Sequence, residues 1–105
     1  MAKIGWTSEA ERWLKDIYDY IAADNQGAAA RVIAGIYEKT QVLVQFPEIG
    51  YRYDKHQNDE VRILLYGHYR IAYLVRADGD VDTLGVFHGA GYAAVPAVKT
   101  NKVSS

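Results

Sequence analysis

Apolar residues recur along this chain in two rhythms, and the change from one to the other falls at Phe46-Pro47. Before it, Ala10, Trp13, Leu14, Ile17 and Ile21 follow one another at three- and four-residue steps, and so do Ala29, Val32, Ile33, Ile36, Thr40 and Leu43. That spacing lays each set along one face of a helix. Ser8 followed by Glu11 is a capping-box pattern that predicts the first helix start. The pairs Glu11/Lys15, Arg12/Asp16 and Lys15/Asp19 mark its solvated side. The DNQG turn, Asp24 to Gly27, separates the two helices, with Asp24 or Asn25 available to cap the second. Two helices joined so briefly predict an antiparallel hairpin. Gly35 inside the second costs about 1 kcal/mol relative to alanine, which predicts close helix packing there. Proline disfavours helical geometry in the residue before it, so the helix is expected to stop by Phe46.

After Pro47 the period is two. Tyr51 to Tyr53, Val61 to Leu65, Tyr69 to Arg76 and Val81 to His88 alternate and are rich in Tyr, Val and Ile, the mark of strands. Asp54 to Glu60, DKHQNDE, reads as an exposed polar loop, and Ala77-Asp78-Gly79-Asp80 as a hairpin turn. Lys3 to Trp6 adds a short first strand. The predicted fold class is α+β: a short N-terminal strand, an antiparallel helical hairpin, then a three- to four-stranded antiparallel sheet packed on the helices. The predicted domain is 1–89, with an irregular C-terminal tail over 90–105.

The stretch VRILLYGHYRIAYLV, from Val61 to Val75, sets arginines among sheet residues. If Tyr66-Gly67-His68 form a three-residue loop, Leu65 faces Tyr69. Val61, Ile63 and Leu65 then share the helix-covered face with Tyr69, Ile71, Tyr73 and Val75. Arg62, Leu64, Arg70, Ala72, Leu74 and Arg76 line the other, with Arg62 and Arg70 diagonal neighbours roughly 7–8 Å apart. Leucines lie among those arginines, so this open face calls for an apolar cover.

Composition narrows the function. At 105 residues, 50% hydrophobic, the chain fits one compact domain. Without cysteine it has neither disulfides nor thiolate metal sites. No apolar run approaches the ~18 residues of a membrane span, and a cytoplasmic location is expected. Twelve Lys and Arg against thirteen Asp and Glu leave a net charge of -1, so nothing draws the whole chain to nucleic acid. His56, His68 and His88 lack metal-ligand spacing, no glycine loop cradles a phosphate, and no cofactor is expected.

Together EAERWLKDIYDYIA, VLVQFPEIGYRY, VRILLYGHYRIAYLV and GVFHG resemble the RelE/ParE superfamily of bacterial type II toxin–antitoxin toxins, over most of residues 3 to 90 and nearer the ParE branch. The resemblance implies a toxin, part of a bacterial stress response, that is neutralised when a small antitoxin folds over it in a hetero-oligomer. That antitoxin would supply the missing cover, contacting Arg62, Leu64, Arg70, Leu74 and Arg76.

Two activities divide the superfamily. ParE-like members inhibit DNA gyrase by binding, and the near-neutral charge and the exposed aromatic and arginine residues fit that reading. RelE-like members cleave mRNA on the ribosome; here Arg62, Arg70 and His88 would be the catalytic set, the histidine moving the 2′-OH proton and the arginines stabilising the phosphate. With a three-residue DGD turn Arg70 faces His88; with a two-residue turn His88 lies on the other face. An RNA-binding enzyme should be more basic, and between Lys39 and Lys99 only Lys55 occurs. The expectation is therefore a gyrase-binding inhibitor and not an enzyme. The atypical tail AGYAAVPAVKTNKVSS keeps a third reading, a degenerate toxin that retains only antitoxin binding.

Overall fold

The computed structural model describes residues 2–56 and 58–88; the expected tail at 90–105 lies outside them. A strand, β1 (Ile4–Trp6), leads into helix α1 (Ser8–Ala22), which is followed by α2 (Gln26–Thr40) and a 3-10 turn, Gln41–Val44. Among the described residues four strands follow: β2 (Tyr51–His56), β3 (Asp59–Tyr66), β4 (Tyr69–Val75) and β5 (Val81–His88).

The first helix starts one residue earlier than its sequence pattern implies. Thr7 Oγ1, and not Ser8, accepts the Ala10 N–H at 3.0 Å. Thr7 is favoured because its hydroxyl also donates to the Thr83 carbonyl at 3.0 Å, so the cap ties helix to sheet. Asn25 caps α2, its Oδ1 accepting from Ala28 N at 2.9 Å. The apolar stripes face inward as expected, with Ala10, Leu14 and Ile17 buried on α1 and Ala29, Ile36 and Thr40 on α2.

The sheet has five strands in the order β1-β5-β4-β3-β2. It is mixed: β1 runs parallel to β5 with Ile4 opposite Val81, and the other pairs are antiparallel. The expected α+β architecture is therefore present, with more strands than the sequence pattern suggested and a mixed sheet. Much of the polar DKHQNDE segment is also strand, since Asp54, Lys55 and His56 pair with Val61, Glu60 and Asp59. Backbone pairing to β3 holds these polar residues in the ladder.

Both helices cover one face of the sheet, where Leu14, Ile17, Ile36 and Leu43 meet Leu64, Ile71, Tyr73, Val81 and Val86. Leu64 on this face corrects the expected register. The β3–β4 turn is Gly67-His68 alone, with Gly67 at φ +58° and Tyr66 opposite Tyr69. Compared with a three-residue loop the pairing slips by one, and in a structure of period two such a slip turns every side chain of a strand to the other face. On β4 the assignment stands, with Tyr69, Ile71 and Tyr73 inward. On β3 it reverses: Arg62 and Leu64 lie on the helix side, and Val61, Ile63 and Leu65 on the open side. Tyr66 also explains Gly35, because a Cβ there would overlap the Tyr66 hydroxyl. The close approach is helix to strand and not helix to helix.

On the open face Ile63, Ala72 and Phe87 form a second small cluster, joined by Leu84. A bulge in β5 takes the register from Tyr73–Thr83 to Ala72–Gly85. It brings Phe87 opposite Arg70 and His88 opposite Tyr69. At the other end of these strands Gly79, at φ +93°, closes the expected turn.

Candidate functional site

The arginines of the VRILLYGHYRIAYLV stretch have three different surroundings. Arg62 is nearly enclosed, its side chain only 13% exposed. Its Nε donates to Glu60 Oε1 at 3.0 Å, and its Nη1 donates to the carbonyls of Glu48 at 2.9 Å and Gly50 at 2.6 Å. The Gly50 N–H in turn donates to the Tyr73 hydroxyl at 2.9 Å. A side chain at Gly50 would strike the Ile63 carbonyl and that same hydroxyl, so this position admits only glycine. Arg62 is thus the staple that holds the FPEIG loop to the sheet. The hydrogen bond from Arg62 keeps the Glu60 carboxyl below its ordinary pKa, with a further ion pair from Arg52 Nη2 at 3.2 Å. Burial raises the pKa of Tyr73.

Arg76 lies on the open face but is surrounded by acids. Its guanidinium reaches Asp82 at 2.8 Å, Asp80 at 3.5 Å and Asp78 at 3.6 Å. Asp82 contributes most to raising the arginine's pKa. Asp78 is held below its ordinary value chiefly by the Asp80 N–H, which donates to its carboxylate.

Arg70 stands on the open face beside Tyr51, whose hydroxyl accepts from its Nη1 at 3.2 Å. Leu65, directly opposite Arg70, is 52% exposed, and Leu74 is half-buried further along β4. These four residues make a mixed surface of apolar side chains, one phenol and one cation, of the composition that protein interfaces use. Of the residues expected to meet an antitoxin, Arg70 and Leu74 are here. Arg76 shares the face but is engaged by its carboxylates. Leu64, 6% exposed, belongs to the core, and Arg62 points the other way. Leu65 was not expected on this face because a three-residue turn places it inward; Tyr51 reaches it through the β2–β3 pairing, opposite Ile63.

His88 lies at the far end of β5, against Tyr69 with ring centroids 5.1 Å apart, and its ring is 6.3 Å from that of His68. With Trp13, Asp16, Tyr20 and Ile21 of α1 it lines a groove of about 300 Å³ on the helix side. Burial raises the pKa of Tyr69 there. Arg62, Arg70 and His88 are not brought together: Arg70 faces Phe87 on the open side, while the other two lie on the helix side, Arg62 bound to its own loop. Among the described residues no group of three or more His, Cys, Asp or Glu could hold a metal ion, and no helix is long and apolar enough to cross a membrane.

A helical hairpin over one face of this five-stranded sheet defines a RelE/ParE-type domain. Its fold matches the chromosomal ParDE toxin–antitoxin system from P. aeruginosa with a TM-score of 0.66 at 22% identity, over 86% of this chain and 98% of that one. It matches the toxin–antitoxin complex RelBE2 from Mycobacterium tuberculosis with a TM-score of 0.60 at 20% identity, over 84% and 98%. In sequence the chain is 36% identical over 86 residues to "Putative toxin Y4kP" of Sinorhizobium fredii, covering 82% of this chain and 86% of that protein. The family model for the ParE toxin of the type II toxin–antitoxin system, parDE, matches residues 4–91. The chain belongs to that family.

Proposed function

We propose that this ParE-family toxin is neutralised by a cognate antitoxin and inhibits DNA gyrase, in the cytoplasm, by binding and not by bond cleavage. The observation that carries the reading is the separation of Arg62, Arg70 and His88. A ribonuclease working through them would need the histidine and both guanidinium groups to converge on one phosphate. Here Arg70 is on the opposite side of the sheet from His88, and Arg62 spends its donors on Glu60, Glu48 and Gly50. A net charge of -1 also favours a protein target over ribosomal RNA.

The antitoxin's place in this reading is the open face at Tyr51, Leu65, Arg70 and Leu74. Both solved structures of this fold named above come from toxin–antitoxin systems. A segment that folds on binding accepts an ordering cost in exchange for wrapping such an elongated surface.

Induction of the chain is expected to make cells filament and mount a DNA-damage response, and the purified protein to inhibit gyrase supercoiling. His88→Ala should stay toxic, since the histidine does no chemistry. Rapid translation arrest with mRNA cleavage in the ribosomal A site, lost in a folded His88→Ala variant, would replace this reading with the nuclease.

A further inference from the structure

The FPEIG loop turns its two largest apolar side chains to water while its backbone is held from several sides. Phe46 is 57% and Ile49 55% exposed. Beneath them Phe46 N donates to Val42 O at 2.9 Å, Ile49 N to Phe46 O at 3.1 Å, and Gly50 N to the Tyr73 hydroxyl at 2.9 Å, while Arg62 holds the carbonyls of Glu48 and Gly50. More than half of each residue's surface is left open to water. A stiff loop presenting an apolar pair binds with little ordering cost, which is how preorganised interface anchors gain affinity.

The surroundings specify a partner. A shallow groove of about 490 Å³ follows the loop from Gln45 to Ile49. A second, of about 310 Å³, runs from Val44 and Pro47 to the Asp78–Asp80 turn. Glu48 stands between the two anchors. Asp78, Asp80 and Asp82 together surround one guanidinium, that of Arg76. Lys3 also adjoins this turn, its backbone N–H donating to Asp80 at 3.1 Å. With Arg62, which holds the loop carbonyls of Glu48 and Gly50, three bases stand against the four acids Glu48, Asp78, Asp80 and Asp82, leaving a small acidic excess.

We propose that this end of the molecule is a second protein-docking surface, which receives a basic segment of the toxin's target and whose apolar anchors lie apart from the Tyr51, Leu65, Arg70 and Leu74 patch. The inference rests on the reading of the chain as a toxin that acts by protein contact, but not on gyrase being the protein contacted. Phe46 and Ile49 are the anchors that enter the target, and Glu48 with the acidic turn selects its basic side chains.

The test compares the wild-type chain with Phe46→Ser/Ile49→Ser and with Glu48→Lys, each titrated with purified gyrase and with the cognate antitoxin and each induced in cells. Both variants should fold, because Phe46, Glu48 and Ile49 are exposed. The double variant is expected to lose growth arrest and at least tenfold in gyrase affinity while binding antitoxin within about twofold of wild type. Glu48→Lys should lose several-fold, with the deficit shrinking as salt is raised. Should wild type arrest growth without touching gyrase, the gyrase assignment fails, and loss of arrest in the double variant would still support the docking surface. Three results would overturn it: a double variant as toxic as wild type, a loss confined to antitoxin binding, or a wild-type dimer that the double variant dissolves.

Discussion

The two faces of the sheet put the same residue types to opposite uses. On the helix-covered face Leu64 fills the core and Arg62 holds Glu60 and two carbonyls of the FPEIG loop; on the open face Leu65 and Arg70 stand partly in water. Adjacent leucines and two arginines of one strand pair thus differ only in the side of the pleat they occupy. Burial, and not residue type, separates the side chains that hold the fold together from those left at its surface.

The largest test of this contrast is the leucine pair. Leu64→Ala should destabilise the fold by about 2–5 kcal/mol, the cost of a cavity in a packed core, while Leu65→Ala should stay within about 0.5 kcal/mol. Urea titrations in which the midpoint moves for the first variant and not the second would bear this out; equal shifts would break it. Conversely, Leu65→Asp with Leu74→Asp should weaken antitoxin binding by more than tenfold, about 1.4 kcal/mol, in a protein whose melting is little changed.

The arginine pair gives a smaller difference. Arg62→Ala leaves two loop carbonyls and the Glu60 carboxylate without their donor, and should cost about 2 kcal/mol of stability. Arg70→Ala removes the bond to Tyr51 and should cost under about 1 kcal/mol while loosening the antitoxin complex. If Arg70→Ala were the more damaging to folding, the division of roles would be reversed.

The smallest effect concerns pH. The hydrogen bond from Arg62 holds Glu60 in the folded state below the ordinary glutamate value of about 4.5. The stabilisation is therefore fully present above that value and is lost as pH falls through the lowered folded one. Glu60→Gln should flatten the acid limb of the stability profile and leave the neutral range with a constant offset. An unchanged acid limb would mean that Arg62 does not depend on this carboxylate.

Much of the architecture was legible in local signals. The two stripes located both helices, although α2 ends at Thr40 and passes into the Gln41–Val44 3-10 turn before Pro47 is reached; Gly79 marked its turn, and the period of two found β3, β4 and β5 to within a residue or two. The FPEIG and VRILL motifs were recognised separately, but their connection through Arg62 was invisible, because hydrogen bonds between residues 48, 50 and 62 leave no periodic trace. Exposed Phe46 and Ile49 likewise looked like the ordinary end of a helix and the start of a loop.

Periodicity determines which residues share a face, since alternate side chains of a strand must point together. It does not determine which face is covered. In β3 that phase was decided by a two-residue turn in which Gly67 takes positive φ, and by Tyr66 packing into the space that Gly35 leaves beneath α2. The bulge beside Leu84 similarly set His88 against Tyr69 and Phe87 against Arg70. At the start of α1 two hydroxyl residues were locally equivalent as caps, and the Thr83 carbonyl, 76 residues away, selected Thr7. Each choice was between local arrangements that the sequence leaves open, and each was decided by contacts between residues distant along the chain.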